Sequence, residues 1–595
     1  MGDAREYTEL SEQKTEPFSQ GELQARLQRS RMEELSAMNS TVPLDKLVVP
    51  LDKDIRILLR PLAGSRAVSP GEQDNCKLLA FHAADAEEDE PPHKVLAVTQ
   101  RDRDIRFTVR IPDILPNLAL QCELYYDPAS DNQIFINRSN QPVTVSRISQ
   151  EPRDNQGDQY EVNPRDFKAL APGTWRVHMG GNKALDFRIL EKRPMLLRGP
   201  SSFSSDLSDG VNSAGKRSFV ADADDALSPE KRRRAHDSAQ EKNDDSYIMI
   251  LPASKNQLTL PRPSAEKGKE LSVSSGHPLL DMQSEETVEV PPRTQVVGYT
   301  LTKKEQIAST SLSSVFTADY SEVPSGVIVV KVLKTRSPLT ANNEAAEAKD
   351  VIRQADIWLR EFQSQGNLEH KSIVRLYGGD ARFLSLYMEH VDGRDLSSRS
   401  MWRTPGTDLF SGDRTDASHI LRDIASALHY VHGKGLVHND IKPGNILYSR
   451  ERGAVLCDFG LSSHQSRDTA SIGGTPWYVP PEFIGRKQRG PPSDVWALGV
   501  TMLYVLGKIS WPDARAHKNH PRHLHWVIAK VNSRDQDPSN RMREWLKEVN
   551  AARSGLDLRD KLERLVYEML APNPQSRVTT KDIVNQMFAE AALDT

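Results

Sequence analysis

Cysteine is scarce. Cys76, Cys122 and Cys457 are the only three in 595 residues and lie far apart in sequence, which argues against a disulfide framework or a zinc site and fits a reducing compartment. Long apolar runs are missing too. The richest stretch, near Val495 to Leu506, is too short to cross a bilayer and reads as a buried helix. The opening Met1-Gly2-Asp3-Ala4-Arg5-Glu6 lacks the apolar run of a secretory leader, and Glu6 stands where a myristoylation signal wants Ser or Thr. Neither secretion nor a membrane partner is expected. Charge of one sign is lacking as well: 78 basic and 82 acidic residues leave a net charge of -4, which excludes a chain-wide pull toward nucleic acid. His517, His520, His523 and His525 cluster, but their spacing matches no common metal motif and reads as a solvated loop for docking substrate.

The length predicts more than one domain. Residues 1–48 are polar and read as a disordered tail. Residues 49–191 carry short β-prone runs, Ile55 to Leu59, Lys77 to Phe81, Ile105 to Ile111, Glu123 to Tyr126, Gln133 to Ile136, Val143 to Ile148, Trp175 to Met179 and Asp186 to Leu190, separated by turn residues. They predict an all-β sandwich. Arg101, Arg103, Arg106 and Arg110 either form a phosphate-facing patch or, alternating with Asp102 and Asp104, a solvated strand edge. Residues 192–295 are rich in Ser, Asp, Glu, Lys and Pro and read as a disordered linker. Within it, Lys216-Arg217 and Lys231-Arg232-Arg233-Arg234 have the spacing of a bipartite nuclear-import signal, which predicts an import receptor as partner and a nuclear location. Nucleic-acid binding through the same run ranks last, because no stacking aromatics stand nearby.

Residues 296–590 contain His438-Asn439-Asp440-Ile441-Lys442-Pro443-Gly444-Asn445 and Asp458-Phe459-Gly460, and this region resembles protein kinases along its length. The resemblance implies an α+β bilobal fold that transfers the γ-phosphate of ATP to protein Ser or Thr hydroxyls with magnesium. Asp440 would accept the substrate proton, Lys442 offset charge on the moving phosphate, and Asn445 and Asp458 hold the metal. Ile328 to Leu333 alternates as a strand and places Lys331 as the phosphate-binding lysine. Register makes Glu361 its partner, with Glu344 and Glu347 as runners-up. Ala308, Val315, Val329, Met388, Glu389, Val391 and Leu447 would line the adenine and phosphate site, and Asp395 would contact the ribose or cap a following helix. Where the family has a glycine-rich loop, Ala308, Thr310 and Ser313 replace the glycines; a required positive φ there would cost about 1–2 kcal/mol.

Asn439 replaces the arginine that clamps a phosphorylated activation loop in the family, which implies that activity does not depend on that switch. Thr469 and Ser471 are candidate phosphosites, Thr475 with Lys442 points to Ser/Thr substrates, and Arg577 would pair with Glu482. The rival reading is a pseudokinase scaffold, suggested by the missing glycines and the His-Asn-Asp loop. The second half of the sandwich region, through Cys122 to Tyr126, Ile136-Asn137-Arg138-Ser139-Asn140-Gln141-Pro142-Val143 and Leu170 to Trp175, resembles a degenerate forkhead-associated domain. That family binds phosphothreonine peptides, so the resemblance implies a phosphoprotein partner and a checkpoint-kinase-like architecture. Leu118-Ala119-Leu120-Gln121 and Asn140-Gln141-Pro142 depart from its binding motifs. The reading favoured is a sandwich that packs against other protein surface without reading phosphate.

Overall fold

The computed structural model describes residues 42–198 and 271–588, apart from short segments within those ranges. Its first part is an all-β sandwich of two antiparallel sheets. One sheet runs, in spatial order, Cys76–Phe81, His93–Thr99, Ile55–Pro61, Asn182–Ile189, Gly173–Met179, Val143–Arg147 and Gln159–Val162. The other runs Phe167–Leu170, Gln133–Asn137, Leu118–Tyr126, Arg106–Leu115 and Ser69–Pro70. The alternation that predicted the strands explains the core: Phe107 and Val109, Cys122 and Leu124, Val143 and Val145, Trp175 and Val177 point between the sheets. His93–Thr99, Gln159–Val162 and Phe167–Leu170 were not legible as strands, and the short Gln159–Val162 buries only Val162.

Two boundaries differ from the expectation. Leu44 and Leu47 pack on the outer face of the first sheet with Leu58, Phe81 and Val95, and Arg188 Nη1 donates to the carbonyls of both leucines at 2.8 and 2.9 Å. The sandwich therefore takes in the end of the supposed tail. At the other side, Leu196–Arg198, Leu271–Val273 and Thr287–Val290, all from the supposed linker, belong to the small-lobe sheet. That eight-stranded sheet runs Leu271–Val273, Leu196–Arg198, Thr287–Val290, Tyr299–Ser309, Ser313–Tyr320, Val327–Leu333, Ser385–Glu389 and Leu376–Asp380. Leu197, Leu279, Met282, Val288 and Val290 are too sparse to read as strands, yet they bury against Phe316, Ile328 and Val330.

Helix α1, Glu344–Gln365, follows the Lys331 strand and is capped by Asn343, whose side chain accepts from Ala346 N. The large lobe is helical. Its buried core takes Ile420, Ile424 and Leu428 from α2, Arg414–Gly433, and Leu498 and Met502 from α3, Pro491–Val505. α2 begins with a capping box in which Asp413 and Asp416 bond each other's backbone N–H groups. The short strands Ile446–Ser449 and Gly453–Leu456 form the expected hairpin between the two chemical motifs. Among the described residues no helix is long and apolar enough to span a membrane.

Three of the four arginines are engaged elsewhere than in a phosphate-facing patch. Arg101 pairs with Asp104, Arg103 lies over the Phe362 ring, and Arg106 reaches Tyr125 Oη and Asp356. Two of them face the α1 side.

Candidate active site

One face of the small-lobe sheet builds the upper wall of a cleft. Ala308, Val315 and Lys331 are successive cross-strand partners, and Val329 pairs with Met388, so all five side chains share that face. Val329 and Leu447 join Val374, Met388, Val391 and Val455 in an apolar cluster. The Glu389 N–H donates to Arg375 O at 2.9 Å, and its carboxylate accepts from Arg452. Asp395 lies on a two-residue strand and accepts from the N–H and hydroxyl of Ser397. No helix starts there, so the capping alternative is wrong; the carboxylate orders a turn instead.

Lys331 Nζ sits 2.9 Å from both oxygens of Glu361 and 2.9 Å from Asp458 Oδ1. Glu344 and Glu347 are not its partners; they bind Lys168 and Arg336. Glu361 is fully buried. Burial works against the ammonium of Lys331, but Asp458 and Glu361 outweigh it and raise its pKa. The same ammonium holds the Asp458 carboxyl well below the usual range, while burial pushes Glu361 up.

The lower wall is the catalytic loop. Lys442 Nζ donates to Asp440 Oδ2 at 2.7 Å, Thr475 Oγ1 donates to Asp440 Oδ1 at 2.9 Å, and Lys442 also reaches Thr475 Oγ1 at 3.0 Å. Asn445 Nδ2 donates to the Asp440 carbonyl at 2.8 Å and to its Oδ2 at 3.1 Å. These bonds orient one carboxylate from three directions. With its nitrogen bonded to Asp440, the Asn445 amide offers a cation its oxygen, and Asp458 is ionised and 43% exposed. Two oxygen donors completed by substrate phosphates and water suit magnesium, which is seldom caged by protein alone. Among the described residues no cluster of three His, Cys, Asp or Glu competes as a metal site.

Several organising contacts escaped the sequence reading. Asp494, the fourth residue of α3, accepts from the backbone N–H of His438 and of Asn439, each at 2.8 Å, and lies 3.0 Å from His432 Nε2. Burial disfavours its charge, yet these bonds keep its pKa low. His438 receives the Asp440 N–H on Nδ1 at 3.3 Å and places Nε2 3.2 Å from Cys457 O, an arrangement that needs the neutral Nε2–H tautomer. Burial pushes its pKa down, in agreement. Asn439 adopts φ 69° and its Nδ2 ties Leu461 O and Ser463 Oγ to the loop. A short polar side chain tolerates this left-handed backbone. Arg489 Nη1 donates to Asn439 O. Only a pattern of local neighbours was readable in the sequence, and Asp494 is 55 residues from the backbone it holds.

The glycine-less loop is a tight turn between Tyr299–Ser309 and Ser313–Tyr320. None of residues 308–313 has a positive φ, so the anticipated strain is absent. Thr310 Oγ1 accepts from Leu312 N and Ser313 N, and Lys334 Nζ donates to Ser309 Oγ and Thr310 O, both at 2.8 Å. Glu482 and Arg577 form a bidentate pair at 2.8 Å. Thr469, Ser471, Lys216, Arg217, Lys231, Arg232, Arg233 and Arg234 lie outside the described residues.

Residues 324–589 match the family described as protein kinase domain. The chain is 31% identical over 209 residues to a calcium/calmodulin-dependent protein kinase type 1 of Macrobrachium nipponense, covering 34% of this chain and 55% of that protein. It is 35% identical over 178 residues to an Aurora kinase of Schizosaccharomyces pombe, covering 29% and 48%. With the human calcium/calmodulin-dependent protein kinase type 1B it shares 40% over 145 residues, covering 23% and 40%. The chain thus spans about half, or less, of the length of these relatives. With the geometry of the cleft, the match makes residues 324–589 a protein kinase domain.

Proposed function

We propose that the chain is a Ser/Thr protein kinase that uses ATP and magnesium and acts in nuclear signalling. The observation that carries this is the set of bonds converging on Asp440 from Lys442, Asn445 and Thr475, opposite the Lys331–Glu361–Asp458 cluster. In the reaction a substrate Ser or Thr hydroxyl oxygen bonds to the γ-phosphorus while the bond from that phosphorus to the β,γ-bridging oxygen breaks. Asp440 receives the hydroxyl proton, and Lys442 stands beside it to offset charge on the transferring group. Lys331, fixed by Glu361, binds the remaining phosphates. Asn445 and Asp458 would hold magnesium, which would supply charge neutralisation on the phosphate oxygens.

The Lys442–Thr475 contact beside Asp440 supports hydroxyl substrates of the Ser/Thr type, because the resemblance associates this lysine and threonine with Ser/Thr kinases. The basic runs at 216–217 and 231–234 support nuclear import. The intact polar set weighs against the scaffold reading. The test is transfer from ATP to matched peptides whose acceptor is Ser, Thr or Tyr. Labelling of Ser and Thr peptides alone supports the reading; equal labelling of the Tyr peptide contradicts it.

A further inference from the structure

The sandwich touches the kinase domain at one place above all, the outer side of α1. A sheet face turned to water alternates toward polar residues, but the outer face of the five-stranded sheet presents Tyr125, Ile134, Ile136, Phe167 and Ala169. These pack in one cluster with Ala348, Val351 and Ala355 of α1 and with Leu333 and Leu386 of the small-lobe sheet. Tyr125, Ile134 and Ile136 are at most 3% exposed.

Polar contacts frame the cluster. Arg106 Nη1 donates to Tyr125 Oη at 2.7 Å, and Tyr125 Oη donates to Asp356 Oδ1 of α1 at 3.2 Å. Lys168 reaches Glu344 in the first turn of the helix at 3.1 Å. Arg336, five residues past Lys331, binds Asp127 of the sandwich at 2.6 Å and Glu347 of α1 at 2.7 Å. The Ala381 N–H donates to Asp102 O. The covalent path is short too, since the last sandwich strand ends at Ile189 and the chain enters the small-lobe sheet at Leu196.

We propose that the sandwich is a built-in brace for α1, and that Tyr125, Arg106 and Ile134 are positioning residues for the phosphate-binding pair Lys331–Glu361. This rests on the kinase reading. Asp356 and Glu361 are five positions apart on one rigid helix, about 140° around it and about 7.5 Å along it. A swing of α1 that releases Asp356 from Tyr125 therefore also moves Glu361 away from Lys331. On the other side, Trp358 Nε1 donates to Ser385 O and ties the helix to the sheet. Sheet and sandwich grip the helix from two directions, and Glu361 lies on the sheet side, about 60° around the helix from Trp358.

The test uses the full chain with two variants. Ile134→Arg forces a charge into the apolar cluster, and Arg106→Glu adds a third carboxylate beside Asp356 and Glu123, a repulsion that Asp356→Arg in the same chain relieves by restoring a cation between them. Three quantities are read: hydrogen exchange of α1 amides, kcat/KM for ATP, and circular dichroism of the strands to confirm that the sandwich remains folded. The brace predicts about tenfold faster exchange in α1 and about tenfold lower kcat/KM in both variants, with recovery in Arg106→Glu/Asp356→Arg. Exchange in α1 at the native rate in both variants overturns it, as does a loss in Arg106→Glu that the repair does not recover. If the native chain transfers no phosphate, the kinase reading fails on its own, and the exchange measurement still decides the brace.

Discussion

Replacing Arg577 with Met should cost the kinase domain about 3–5 kcal/mol, because it leaves a buried carboxylate without its cation. Arg577 has no exposed side-chain surface and Glu482 only 6%. The guanidinium makes two bonds of 2.8 Å to Glu482, donates to the carbonyls of Ala571, Pro492 and Pro572, and lies over the Trp496 ring at 5.2 Å. Met fills the volume but satisfies none of these acceptors. The loss is a third or more of the stability of a typical domain. Urea unfolding followed by tryptophan fluorescence reads it, since Trp175 alone among the eight tryptophans lies in the sandwich and the others report the kinase domain. Glu482→Gln with Arg577→Met should cost less than the sum of the two single changes, because the second removes the charge that the first strands. A loss below about 1 kcal/mol for Arg577→Met, or strict additivity, refutes the argument.

Two further outcomes follow. Asp416 accepts from Arg450, Tyr448 and the Asp413 N–H, and the Arg450 bonds above all hold its pKa down to about 2. A depressed carboxyl stabilises the fold above its unfolded pKa, so its contribution of about 1–2 kcal/mol at pH 7 falls by roughly half near pH 3 and vanishes below about 2. Asp416→Asn should therefore trail the native chain in urea stability at pH 7 by more than at pH 3; equal gaps at both contradict this. Thr310→Val removes the oxygen that organises the phosphate-side turn, a net loss of about 0.5–1.5 kcal/mol. Steady-state kinetics should show KM for ATP about two- to tenfold higher at unchanged kcat, and a fall in kcat with constant KM would place the turn's role elsewhere.

What could be read from the sequence was what lies close along the chain. Asp440, Lys442 and Asn445 fall within one loop, and their hairpin brings Asp458 beside them, so residue type and spacing carried most of the site. Glu361 came from register alone, and Lys331 contacts it. The strands of the sandwich followed from alternation, but alternation says nothing about what covers a second apolar face. Gln133–Asn137 is buried on both sides, with Phe135 toward the sandwich core and Ile134 and Ile136 toward α1. The arginines were misread for the same reason: Arg106 finds Asp356 250 residues away, a pairing no local window contains. Leu197 and Val288 looked like linker because their partners Phe316 and Val330 belong to strands further on.

The most direct measurement is phosphate transfer from ATP and magnesium to the protein itself and to a generic basic substrate, comparing the native chain with Asp440→Asn and Asp458→Ala. The account predicts transfer by the native chain and its loss in both variants, each still folded. Folded native protein that transfers nothing at saturating ATP, or variants as active as the native chain, would contradict it.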